Sequence, residues 1–134
     1  MLTCNAALAA TEAAVAQPAG VGSTHRDCAS FALYPDSRIS SWNQQAERML
    51  GYSEEQALGR YFAWFFPVDE VLRGESERVL RIAGENGFHQ WQGAWLRKDH
   101  SLCRAWVGML AVRHFSGKLQ RYTVITRDLT HEGS

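Results

Sequence analysis

No stretch of this 134-residue chain approaches the ~18 consecutive apolar residues of a membrane-spanning helix, so no membrane contact by this segment is expected. Neither charge is in excess: 14 Lys and Arg offset 14 Asp and Glu. A nucleic-acid binder ordinarily shows a basic face, so the balance points away from nucleic acid. Cysteine is scarce. Cys4, Cys28 and Cys103 are odd in number and far apart, with no Cys-x-x-Cys and no Cys/His set at zinc spacing. They read as reduced thiols of a cytoplasmic protein, and no metal site is expected. The alanine-rich first 17 residues lack a positively charged leader, so a secretory signal is not expected either. A catalytic set is also missing. Ser41, Ser53 and Ser101 have no nearby His-Asp arrangement apart from Asp99-His100-Ser101, and consecutive turn residues diverge rather than converge as a triad. Gly20-Val21-Gly22 lacks the lysine and helix start of a phosphate loop. The expectation is a domain that is not an enzyme.

What is present suits one soluble domain with a substantial core: 46% of residues are hydrophobic and 11% aromatic. Residues 4–16 read as a short helix capped by Asn5 and ended by Pro18 and Gly20, which needs a surface to lie on. A glycine-rich linker follows. Cys28 to Tyr34 and Ile39 to Trp42 read as two strands around a Pro35-Asp36-Ser37-Arg38 turn. Asn43 is placed to cap a helix reaching Leu50, which Gly51 closes. Ser53 with Gln56 forms a capping-box pattern for a second short helix. After the aromatic run Tyr61 to Phe66, a single longer helix is predicted from Asp69 to about Ala83. Beyond Gly87 the apolar period changes to two, and three strands follow: Phe88–Arg97, Leu102–His114 and Leu119–Arg127. Two strands, several helices and three strands imply an α+β fold with a five-stranded antiparallel sheet and helices on one face.

That order, with Trp42-Asn43, Ala46-Glu47-Arg48, Gly51-Tyr52-Ser53 and Leu58-Gly59, then Arg97-Lys98-Asp99, and finally Thr126-Arg127-Asp128-Leu129-Thr130, resembles the PAS sensor family. The nearest likeness is to PAS modules of bacterial sensor histidine kinases and related signalling proteins. The resemblance divides the chain into a helical extension and linker (1–25), a PAS domain (26–130) and a tail (131–134) toward an output domain. Two positions depart from it: Ser37 and His100 stand where the family usually has glycine in its hairpin turns.

The resemblance implies a sensory and dimerisation module that passes a ligand, redox or partner signal to an output domain. A ligand-free protein–protein interaction adaptor is the alternative. A cleft between sheet and long helix would hold the ligand, with Trp42, Asn43, Phe65, Trp91 and Trp106 as its candidate lining. The occupant stays open between none, flavin and haem. Haem-binding relatives take their axial ligand from the long helix, which here has no histidine or cysteine, leaving His89 on the third strand. The Asn-Cys-Arg motif of covalent flavin chemistry is absent. Arg97, Asp128 and Thr130 are the implied signal relay, with Arg97, Arg127 or Lys98 as the basic partner of Asp128. Both faces of the fourth strand are apolar, so the second face needs a cover. The expectation is a homodimer through the N-terminal helix and this sheet face, with an effector domain in cis or trans.

Overall fold

The computed structural model describes residues 28–129. The helix expected over 4–16, the linker, Thr130 and the tail lie outside the described residues. Strands β1 (Cys28–Leu33), β2 (Ile39–Trp42), β3 (Phe88–Leu96), β4 (Leu102–Arg113) and β5 (Leu119–Asp128) form one antiparallel sheet in the order β2-β1-β5-β4-β3. Between β2 and β3 the chain forms helices α1 (Gln44–Leu50) and α2 (Glu54–Ala57), a 3-10 helix (Phe62–Phe65), and helices α3 (Val68–Leu72) and α4 (Glu75–Asn86). The expected α+β plan is thus present, and the last strand in sequence is the middle strand in space.

The three hairpin connections share one design. In each, two flanking residues bond across a three-residue loop whose last member is left-handed: Ser37 (φ 75°), His100 (φ 72°) and Gly117 (φ 94°). This is the type I turn with a bulge that three-residue hairpin loops favour. Glycine occupies that conformation freely, whereas serine and histidine pay for the Cβ. Side chains offset part of that cost. The Asp36 carboxylate accepts from the Arg38 N–H at 3.0 Å, and Asp99 accepts from the Ser101 N–H at 2.9 Å.

Asn43 Oδ1 accepts the Ala46 N–H at 2.8 Å, so the predicted cap forms, and Ser53 with Gln56 completes the capping box. The predicted single helix from Asp69 to Ala83 is instead two. Gly74 adopts φ 75°, which breaks the chain between α3 and α4. Apolar spacing continues across the break, so periodicity alone does not reveal it. Gly84 lies inside α4, and Gly87 ends it.

β1 and β2 show how the sheet faces inward. Leu33 pairs with Ile39 and Ala32 with Ser41, which leaves Ser40 as an extra, bulged residue. The bulge lets both Ile39 and Trp42 point to the core, although they are three residues apart. The inner face carries Ala29, Phe31, Leu33, Trp95, Cys103, Ala105, Val107, Met109 and Val124 against Phe62, Phe65, Phe66, Val79 and Ala83. The opposite face carries a second cluster of Cys28, Trp106 and Ile125, with Phe88 and Leu129 beside it. The apolar character expected of both faces of β4 is therefore present. Cys28 is disulfide-bonded, so the expectation of three reduced thiols does not hold there.

The loop geometry gives a direct test. Ser37→Gly and His100→Gly should each raise stability by about 1 kcal/mol, because the left-handed position no longer carries a Cβ. Thermal unfolding of the two variants checks this, with an upward shift of midpoint expected for both.

Candidate sensory cleft and exit strand

The space between sheet and helices is occupied by aromatic side chains in mutual contact. Trp95 is its centre: its ring meets Phe31 at 6.0 Å, Phe62 at 5.8 Å and Phe66 at 5.6 Å between centroids. Edge-to-face pairs of this kind add about 0.5–1.5 kcal/mol each beyond buried area. The Trp95 indole N–H donates to the Thr126 hydroxyl at 2.9 Å, and that hydroxyl donates to the Trp106 carbonyl at 2.8 Å. Thr126 is fully buried, so this chain leaves neither group unsatisfied.

The five predicted lining residues are not brought together. Trp42 and Phe65 do meet, stacked at 5.1 Å, and Tyr52 closes on Phe65 at 5.4 Å. The Trp42 indole N–H donates to the Tyr52 carbonyl at 2.9 Å. Asn43 lies beside them as a structural tie: besides capping α1, its Oδ1 accepts the Ser30 N–H at 3.1 Å, and its amide donates to Ser30 Oγ at 3.2 Å. Trp91 is half-buried at the other end of β3. Trp106 faces the opposite side of the sheet, where its indole N–H donates to Gln90 at 3.1 Å. The alternation of β4 puts it there, one residue out of phase with Ala105 and Val107. His89 lies flat on Trp91 at 5.1 Å and 19°, beside Glu75 and Arg78 of α4.

The relay residues do converge. Arg97, just past β3, lies 3.7 Å from the Asp128 carboxylate at the end of β5, and both side chains are largely covered, with 26% and 21% exposure. The Arg97 guanidinium also donates to the Met49 carbonyl at 3.0 Å and to Ser101 Oγ at 3.2 Å. The Lys98 N–H donates to the Leu50 carbonyl at 2.9 Å. One guanidinium thus joins the end of α1, the β3–β4 hairpin and the exit of β5. Of the three partners open to Asp128 in the sequence, Arg97 is in ion-pair range. Thr130 lies outside the described residues. Sequence reasoning missed Thr126, the hydroxyl two residues before Asp128 on the same face. Its one sequence signal is a polar residue at an inward position of β5.

Open grooves indent the surface among the described residues. One, of about 740 Å³, is lined by Leu58, Arg60, Tyr61, Trp64 and Val71; another, of about 460 Å³, lies between α1 and Arg97-Lys98-Asp99.

A family model for the PAS domain matches residues 27–131, which takes in the whole of the described sheet and its helices. The chain belongs to the PAS domain family. It is similar to the Two-component system protein A of Emericella nidulans, with 30% identity over 108 residues. That match takes in 80% of this chain and 16% of the relative, so the chain spans about a sixth of the curated relative's length. Among solved structures it resembles the PAS domain of a Colwellia psychrerythraea protein: TM-score 0.71, 22% identity, covering 81% of this chain and 93% of that one. It also resembles the PAS domain of an HTR-like protein from Haloarcula marismortui: TM-score 0.58, 26% identity, covering 75% and 80%. In this PAS domain no described helix is long and apolar enough to cross a membrane.

Thr126→Val should cost about 1–3 kcal/mol, because it strands the buried Trp95 N–H without a partner. Urea denaturation followed by tryptophan fluorescence measures it. A change near zero would mean that the hydroxyl is dispensable.

Proposed function

We propose that this PAS domain is a sensory and dimerisation module of a two-component signalling protein, such as a bacterial sensor histidine kinase. It passes a ligand, redox or partner signal through β5 to an output domain. The observation that carries the reading is the Arg97–Asp128 pair at the exit of the central strand, tied by the same guanidinium to α1 and the β3–β4 hairpin. A strand end held by one partly covered ionic contact is suited to two states. About 1–2 kcal/mol is enough to change their ratio by a factor of roughly 5–30. The name of the Emericella nidulans relative supports the two-component context. The domain itself performs no catalysis in this reading; any catalytic activity belongs to the output domain.

Dimerisation is assigned to the sheet face that carries Trp106 and Ile125, together with the segment before Cys28. The apolar character of that face supports it. A cytoplasmic placement completes the reading, with the Cys28 disulfide as the observation that stands against it. The filled aromatic interior favours a second reading, a ligand-free interaction adaptor, since Trp42 and Phe65 pack on each other. A small molecule co-purifying in native mass spectrometry separates the two.

The test is output in the full-length parent protein. Asp128→Asn should shift basal output and blunt the response. Asp36→Asn, which removes an exposed pair with Arg38 at the far hairpin, should leave both unchanged. Equal behaviour of the two variants would sink the proposal.

A further inference from the structure

His89 is a half-buried titratable group for which the relay has no use. Its Nε2 is shielded from solvent and has no hydrogen-bond partner, while its ring lies flat against Trp91. A neutral imidazole tolerates that setting at the cost of one unmet acceptor or donor. An imidazolium is disfavoured there, because its Nε2–H would be shielded from water without a partner. The charged groups that act on it are both on α4: Arg78, which repels a proton there, and Glu75, which attracts one. Across β4 it is paired with Met109, which carries no charge. Glu75 is already committed to Arg78 in an ion pair, and its carboxyl is held below the usual range chiefly by that contact.

The helix above His89 has a left-handed glycine at each end, Gly74 and Gly87, and the Arg113 guanidinium donates to its Gly84 carbonyl at 2.8 Å. Glycine rotates at such positions with little penalty. Ser76, Val79 and Ala83 form its buried face, which is short and small in side-chain volume.

We propose that α4 is a proton-operated latch: neutral His89, packed between Trp91 and the Glu75–Arg78 pair, holds the helix closed on β3, and protonated His89 releases it. The direction follows from linkage. Burial first, and Arg78 second, lower the affinity of His89 for a proton in the closed state below its ordinary value of 6.5. The open state therefore binds the proton more tightly. Closure is fully stable above that ordinary value and is lost as pH falls below it, until the closed state too becomes protonated. His100 and His114 lie in the exposed hairpin loops, away from this contact. The latch deepens the sensory reading by naming protons as an input, and rests on that reading only for its consequence at the output. The opening of α4 is read on this chain alone, so failure of the latch and failure of the relay are distinguishable.

The experiment is amide hydrogen exchange of the whole chain across pH 7.5 to 5, corrected for intrinsic exchange rates. Residues 75–86 should exchange faster at the acid end. His89→Phe keeps a flat ring on Trp91 but cannot titrate, and should abolish the pH dependence in that segment. If that variant does not fold, His89→Gln replaces it with the same expectation. Arg78→Gln should reduce the acid opening, since it removes the repelling charge and frees Glu75 to pair with the imidazolium. Acid opening that persists in the non-titrating variant, or flat exchange of α4 in the native chain, overturns the latch.

Discussion

Trp95 on β3 and Arg97 just past its end both reach across to β5. The first reaches Thr126 by a buried hydrogen bond, the second Asp128 by a partly covered ion pair, and both contacts span the intervening β4. The side chains on the inner face of β4 along this stretch are Cys103 and Ala105, small enough to lie beneath such a crossing. The sheet is therefore bound by side chains as well as by its ladder. The two ties differ in kind. The buried one is costly to break, because it leaves an indole N–H without a partner. The outer one sits closer to water and is weaker.

The interior contributes rigidity rather than space. Rings from β1, β2, the 3-10 helix and β3 touch in a continuous set around Trp95, and close-packed interiors transmit displacement instead of absorbing it. In this PAS domain Arg97 holds partly covered polar contacts at the edge of the packed interior.

Much of the fold was legible because local chemistry agreed with global order. Asn43, Ser53 and Gly51 marked helix ends by capping, and the change of period at Gly87 marked the start of the last three strands. The Arg97–Asp128 pairing was among the alternatives the resemblance left open. Other features were hidden for physical reasons. Gly74 splits a helix whose apolar spacing runs on undisturbed, and only its left-handed backbone shows the break. The bulge at Ser40 turns Trp42 inward against simple alternation. Trp106 was grouped with ligand-facing rings on composition, although the phase of β4 sends it to the other side. Asn43 was read as lining as well as cap, but its side chain is fully employed between α1 and β1.

The central claim is that Arg97 and Asp128 act on each other across the sheet. A double-mutant cycle with Arg97→Ala, Asp128→Ala and the pair, read by urea unfolding, tests it most directly. The account predicts a coupling of about 0.5–1.5 kcal/mol, larger than an exposed pair gives. Purely additive effects of the two substitutions would contradict it.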